Sequence, residues 1–287
     1  MELINVSKRY GKAVVLDDVN IKLDSGITGL IGKNGAGKTT LMKILCEIIP
    51  NFTGDLERNP ESQVGYLIED PKYYKSKSGM FNIKYFSRIY SRNVDQDHIQ
   101  SLIRDMGMES YIHKKVKTYS MGMKQKLGLV IALIHKPKYL ILDEPTNGMD
   151  PDGSIDVLGI IKRLTEKYDI NVLISSHKLE DIESVSNDIV FISDGRLGEK
   201  KAVNDLNVGA VYAFTFDSTD CEAAEAVFSS LGLDTVRNDD VLAVNGLNDF
   251  QMVMRVLSEK GIFPADVEKS RHSVKDFYFE QMRGTSA

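Results

Sequence analysis

The chain has 287 residues, 42% hydrophobic and 27% charged, with a formal net charge of −5. That composition suits a globular protein with one large domain, or a large one and a small one. A pI near 5.6 gives no electrostatic reason to expect nucleic acid as a partner. Two cysteines, Cys46 and Cys221, do not make a disulfide framework and suit a reducing cytosol. Cys46 lies among Leu41, Ile44, Leu45 and Ile48 and reads as a buried structural thiol. Met1-Glu2-Leu3-Ile4-Asn5 lacks the basic flank and apolar core of a signal peptide. No apolar run approaches the ~20 residues of a membrane helix, so work at a membrane would need another chain to span it.

In chain order, residues 2–6 and 13–23 read as strands, the second with Val19, Ile21 and Leu23 alternating. The apolar run 27–31 leads into Gly32-Lys33-Asn34-Gly35-Ala36-Gly37-Lys38-Thr39, followed by Thr40 and a helical pattern over 40–49. The octapeptide fits G-x-x-x-x-G-K-[ST] between strand and helix. Its glycines let successive N–H groups face one concave nest, and the helix N-terminus adds partial positive charge. Lys38 can reach the β- and γ-phosphates, and the Thr39 hydroxyl can ligate Mg²⁺. This segment therefore predicts binding of a nucleoside triphosphate.

A short strand follows at 64–68, then helical spacing over about 78–135: Met80, Ile83, Phe86 and Tyr90, then Ile99, Leu102, Ile103 and Met106. Tyr139-Leu140-Ile141-Leu142-Asp143-Glu144 is an apolar strand ending in two acids, which must point to different sides. Beside a phosphate loop, Asp143 is assigned to the metal and Glu144 to the general base that activates water. A helix is expected over 155–164, a strand over 171–175, and a final buried strand over 189–192. Alternation of helices with continuous apolar strands predicts an α/β fold with a parallel sheet covered on both faces.

A second unit is expected from about residue 205, with strands at 211–216, 241–244 and 262–267. Helices at 223–231, 250–257 and 274–282 complete a small C-terminal α+β unit without any nucleotide motif. The division is thus 1–204, with its helical subdomain, and 205–287.

Tyr119-Ser120-Met121-Gly122-Met123-Lys124-Gln125-Lys126 precedes an apolar helix just upstream of the acidic strand. Alone, Ser120 reads as a helix N-cap. In this order the chain resembles the ATP-binding cassette (ABC) ATPases, whose signature is L-S-G-G-Q. Ser120, Gly122 and Gln125 agree with it, while Tyr119, Met121 and Met123 depart. Glu144-Pro145-Thr146-Asn147-Gly148-Met149-Asp150-Pro151 resembles the family's acidic box and D-loop, with Asp150 the D-loop carboxylate. His177, in Ser175-Ser176-His177, stands in the place of the switch histidine that contacts the γ-phosphate. Tyr10, by itself an ordinary turn aromatic, matches the residue that stacks on adenine.

The resemblance covers residues 2–205 and implies a P-loop NTPase fold of the ABC type, with ATP and Mg²⁺ as ligands. Where most members place a Mg²⁺-sensing Gln, this chain has Glu69, in Leu67-Ile68-Glu69-Asp70-Pro71. A carboxylate there can ligate the metal directly and act in catalysis, or simply be a solvated acid before Pro71. Glu69 with a Tyr-Ser-x-Gly-Met signature is similar to the branch handling bacitracin and lantibiotic self-protection in bacteria. The resemblance implies an ATP-hydrolysing exporter subunit, peripheral at the cytoplasmic face of the membrane through a separate transmembrane permease. It also implies a head-to-tail homodimer in which Ser120 and Gly122 close the Lys38 loop of the other copy. The permease is expected to contact the region around residues 73–92. An alternative is a soluble ABC ATPase acting on DNA or ribosomes, which usually carries a long insertion or a second cassette.

Overall fold

The run Ile27–Ile31 is buried at every position, and that burial is how a strand inside a two-sided layer reads in sequence. The computed structural model describes residues 1–24, 26–68, 72–90, 95–206, 210–217, 220–244, 247 and 249–271. It divides into two units, Met1–Ala202 and Val203–Ala287.

The first unit begins with β1 (Glu2–Tyr10), β2 (Ala13–Lys22), β3 (Ile27–Ile31), α1 (Lys38–Leu45), β4 (Thr53–Glu57) and β5 (Val64–Leu67). Three helices follow: α2 (Gly79–Tyr90), α3 (Gln96–Asp105) and α4 (Met121–Leu133). Next come β6 (Tyr139–Asp143), α5 (Pro151–Tyr168), β7 (Asn171–Ser175), α6 (Leu179–Val185) and β8 (Asp188–Ser193). Two short strands, β9 (Arg196–Leu197) and β10 (Lys201–Ala202), end it. β8 is the last buried strand of this unit, as expected; β9 and β10 after it contain no buried residue.

Two sheets result. One is antiparallel, ordered β2-β1-β4. The other runs β10-β8-β3-β7-β6-β5, with β9 paired to β8, and its central pairs β8-β3, β3-β7, β7-β6 and β6-β5 are parallel. One core joins both sheets to α1, with Leu3, Leu16, Leu30, Leu41, Ile141 and Leu173 among its buried members. The helical stretch read over 78–135 resolves into α2, α3, a short 3-10 turn at Val116–Thr118, and α4. Asn82, fully buried on α2, binds the chain before it: Oδ1 accepts from Tyr74 N, and Nδ2 donates to the carbonyls of Tyr74 and Ser78.

Parallel register decides where chemistry can occur. Asp143 pairs with Ser175, and Ser175 with Leu30, so β6, β7 and β3 end together. Open α/β sheets bind ligands beyond these carboxyl ends. Here the phosphate loop, the acidic pair and the Ser175-Ser176-His177 segment all leave from that one edge.

The second unit contains α7 (Val203–Leu206), β11 (Ala210–Thr215), α8 (Cys221–Ser230), β12 (Thr235–Asn238), β13 (Val241–Val244), α9 (Phe250–Glu259) and β14 (Asp266–Arg271). Its sheet, ordered β12-β13-β11-β14, is antiparallel throughout. Together with α8 and α9 this is a β-α-β-β-α-β split unit. Phe214, Phe216, Phe228, Leu242 and Leu257 fill its core. The strand expected at 262–267 lies instead at Asp266–Arg271, where pairing to β11 sets its register. The helix expected over 274–282 lies outside the described residues.

Candidate functional site

The phosphate loop follows β3 and opens α1. Gly37 is the N-cap of α1 at φ 108°, ψ 0°, a left-handed conformation that a side chain resists, and a Cβ there would meet Val15 O at 2.8 Å. Gly32 is tighter still: a Cβ would approach Ile192 O to 2.5 Å. Lys33, Asn34 and Gly35 are exposed at the tip, while Ala36 is buried and its N–H donates to Lys33 O at 3.2 Å. Lys38 is folded along the loop, its Nζ donating to Gly32 O at 2.6 Å and Lys33 O at 3.1 Å. Thr39 and Thr40 stand in the first turn of α1, where N–H groups lack helical acceptors.

Thr39 reaches across to β6, and its Oγ1 donates to Asp143 Oδ2 at 2.7 Å. Ser175 Oγ donates to Asp143 Oδ1 at 2.6 Å and accepts the Glu144 N–H at 2.9 Å. Glu144 follows the strand at φ 48°, in the left-handed region where a non-glycine residue is strained. That turn sends its carboxylate away from Asp143 and toward His177, with Oε2 3.4 Å from Nδ1. Thr39, Asp143, Ser175, Glu144 and His177 thus form one connected constellation drawn from three segments.

Thr39 Oγ1 and Asp143 Oδ2 are adjacent hard oxygen donors, the set that a small divalent cation such as Mg²⁺ takes alongside phosphate oxygens. Among the described residues there is no cluster of three or more His, Cys, Asp or Glu side chains that would hold a metal alone. The pairing fits a cation that arrives with a polyphosphate. Glu69, the third metal candidate, lies outside the described residues.

The remaining candidates stand on other elements. Tyr10 ends β1, 52% exposed, with Lys8 Nζ 4.9 Å from its ring centre. Ser120 is the N-cap of α4 and accepts from Met123 N at 3.2 Å; Gly122 lies in the following turn. Asp150 is the N-cap of α5, accepting from Gly153 N at 2.7 Å, with Pro151 at the start of the helix. The side chains of Ser120 and Asp150 each bind their own helix rather than the Asp143 constellation. Met121 and the loop after Glu144 are neighbours, since a Cβ at Gly148 would lie 3.8 Å from Met121 Cε.

Sequence reasoning passed over Ser175, which holds both acids, and the buried set Thr146, Ser176 and Asp181. Thr146 Oγ1 donates to Asp181 Oδ2 at 2.6 Å. Cys46, read as buried, is partly buried: it packs against the edge of the core, and desolvation pushes its thiol pKa up to about 12.

The ABC transporter family model matches residues 16–147. The lantibiotic transport ATP-binding protein SrtF of Streptococcus pyogenes is 37% identical over 205 residues, 69% of this chain and 88% of that protein. The bacitracin transport ATP-binding protein BcrA of Enterococcus faecalis is 28% identical over 298 aligned positions, 99% of this chain and 96% of that protein. A solved ATP binding subunit of an ABC transporter is 26% identical with a TM-score of 0.59, spanning 72% of this chain and 91% of that one. No helix among the described residues is long and apolar enough to cross a membrane. The chain belongs to the ATP-binding proteins of the ABC transporters, cassettes of P-loop NTPase fold that bind ATP and hydrolyse it to energise transport.

Proposed function

We propose that this chain is the ATP-hydrolysing subunit of an exporter for peptide antibiotics of the bacitracin or lantibiotic kind. Its transmembrane permease is a separate chain, and the subunit sits at the cytoplasmic face of the membrane against it. The relatives' names support the cargo class. The observation that carries the chemistry is the Glu144–His177 pair beside the Asp143–Thr39 contact at the end of the phosphate loop.

In this reading the N–H groups of residues 32–40 and Lys38 hold the β- and γ-phosphates, and Tyr10 stacks on adenine. Glu144 accepts a proton as water attacks the γ-phosphorus, the bond to the β-phosphate oxygen breaks, and ADP leaves. His177 steadies the γ-phosphate beside that base. Thr39 and Asp143, with Glu69, would hold Mg²⁺, which when bound offsets phosphate charge. Two copies pack head-to-tail around a two-fold axis, each Lys38 loop closed by Ser120 and Gly122 of the other copy, with Asp150 at the seam. Hydrolysis opens the pair and moves the permease. The Val203–Ala287 unit tunes these contacts rather than chemistry.

Replacing the chromosomal copy with Lys38→Ala tests cargo and role together. The reading expects lowered resistance to bacitracin or a lantibiotic, and co-purification of the native chain with a polytopic membrane protein. Unchanged resistance to both classes would remove the cargo assignment. Purification without any membrane chain would remove the transport role.

A further inference from the structure

Asp181 is 9% exposed, in the first turn of α6, and it faces two equally enclosed hydroxyls. Its Oδ2 accepts from Thr146 Oγ1 at 2.6 Å and from Ser176 Oγ at 3.4 Å, and both of those residues are 2% exposed. Ser176 Oγ already accepts the Lys178 N–H at 3.0 Å, so its proton is directed to the carboxylate. A carboxylate removed from water is costly unless donors satisfy it, and hydrogen bonds to a charged acceptor are the short, strong ones. An apolar side chain would fill this space without that cost. The acid therefore selects something packing alone would not: a fixed position for the Thr146 and Ser176 hydroxyls.

Those two residues flank the chemistry. Thr146 lies two residues after Glu144, and Ser176 immediately precedes His177. Glu144 itself is held at φ 48°. On its amide side the strained residue is pinned by Ser175 Oγ at 2.9 Å, and Glu144 O accepts from Asn147 N at 3.0 Å within the turn that contains Thr146. The Thr146–Asp181 bond anchors the far end of that turn. Without the anchor, only the turn's own backbone bonds, Asn147 N–H to Glu144 O and Met149 N–H to Thr146 O, oppose relaxation of Glu144 toward an ordinary φ, which would swing its carboxylate away from His177.

We infer that Asp181 is a positioning residue for hydrolysis, one buried carboxylate that ties the loop carrying Glu144 to the loop carrying His177. This rests on Glu144 being the general base. Asp181 acts through the Thr146 and Ser176 hydroxyls, and through them it sets the spacing of Glu144 and His177.

The test uses the full chain with Thr146→Val, nearly isosteric but without the donor, and Thr146→Ser, which keeps it. Misplacement on an ångström scale lowers rates by up to ~10²-fold, so kcat for Thr146→Val should fall at least about tenfold. The Kd for ATP should stay at the wild-type value, and Thr146→Ser should recover most of the rate. In a Glu144→Gln background, single-turnover hydrolysis should be unchanged by Thr146→Val, because the group being positioned is already gone. Asp181→Asn keeps the side-chain volume and should show the same pattern more weakly; it decides the matter if the valine variant does not fold. Wild-type kcat in Thr146→Val would overturn the inference, as would equal losses in both backgrounds or a parallel loss of ATP affinity that serine does not rescue. Glu144→Gln at the wild-type rate would instead remove the base assignment on which it stands.

Discussion

Ser175 and Asp143 face each other across the β6–β7 ladder, and the Ser175 hydroxyl donates to Asp143 Oδ1 at 2.6 Å. The same oxygen accepts the Glu144 N–H, so one small side chain on a neighbouring strand fixes the aim of both acids. Ser175→Ala leaves a carboxylate oxygen and an amide without this partner. Hydrogen bonds to charged groups contribute about 1.5–3 kcal/mol, so ATP turnover should drop at least about tenfold. The phosphate loop is untouched, so ATP should still raise the melting temperature as it does for the wild type. Loss of ATP stabilisation together with turnover would show that Ser175 supports the fold rather than the site.

The head-to-tail pairing predicts complementation. Lys38→Ala damages the phosphate loop, and Ser120→Arg damages the segment that closes it from the other copy. A mixed dimer puts both lesions in one composite site and leaves the second intact. ATPase activity should reappear when the two inactive chains are combined and mixed dimers are isolated by dual affinity tags. Silent mixed dimers would count against closure in trans.

Ala202 ends the first unit, and every described member of the Thr39–Asp143–Glu144–His177 constellation precedes it. A chain stopped after Ala202 should therefore unfold cooperatively and bind ATP with the affinity of the full chain. Calorimetric titration measures this directly. A marked loss of affinity in a folded truncated chain would assign part of the nucleotide site to the second unit.

How much of this was legible in the sequence depends on how local each cause is. The phosphate loop, β3 and the acidic end of β6 carry their signals within a few residues. The helix expected over 155–164 is longer, Pro151–Tyr168: the apolar period begins only at Ile155, and the Asp150 N-cap with proline behind it, which marks the true start, was passed over. By contrast β4, Thr-Gly-Asp-Leu-Glu, is mostly exposed, and it is a strand because β1 pairs with it, Leu3 opposite Leu56. β12 and β14 are polar edge strands defined by β13 and β11. α6 spans only seven residues and lacks a capping side chain, so only the acids of its first turn, Glu180 and Asp181, mark its start. The roles of Ser175 and Asp181 were hidden for the same reason: Asp143 is 32 residues from Ser175, and Thr146 is 35 from Asp181. A serine or an acid becomes informative only when the fold supplies its partner.

The central claim is that Glu144 is the base of an ATP-bridged site. Glu144→Gln keeps the shape and removes the proton acceptor, while Asp143, Lys38 and the phosphate nest stay in place. General bases contribute about 10²–10⁴-fold, so turnover should fall by that much. Unhydrolysed ATP should then hold two copies together. Size-exclusion chromatography of Glu144→Gln with ATP and Mg²⁺ should give a dimer peak that is absent without nucleotide. A monomer that still hydrolyses ATP at the wild-type rate would contradict the account.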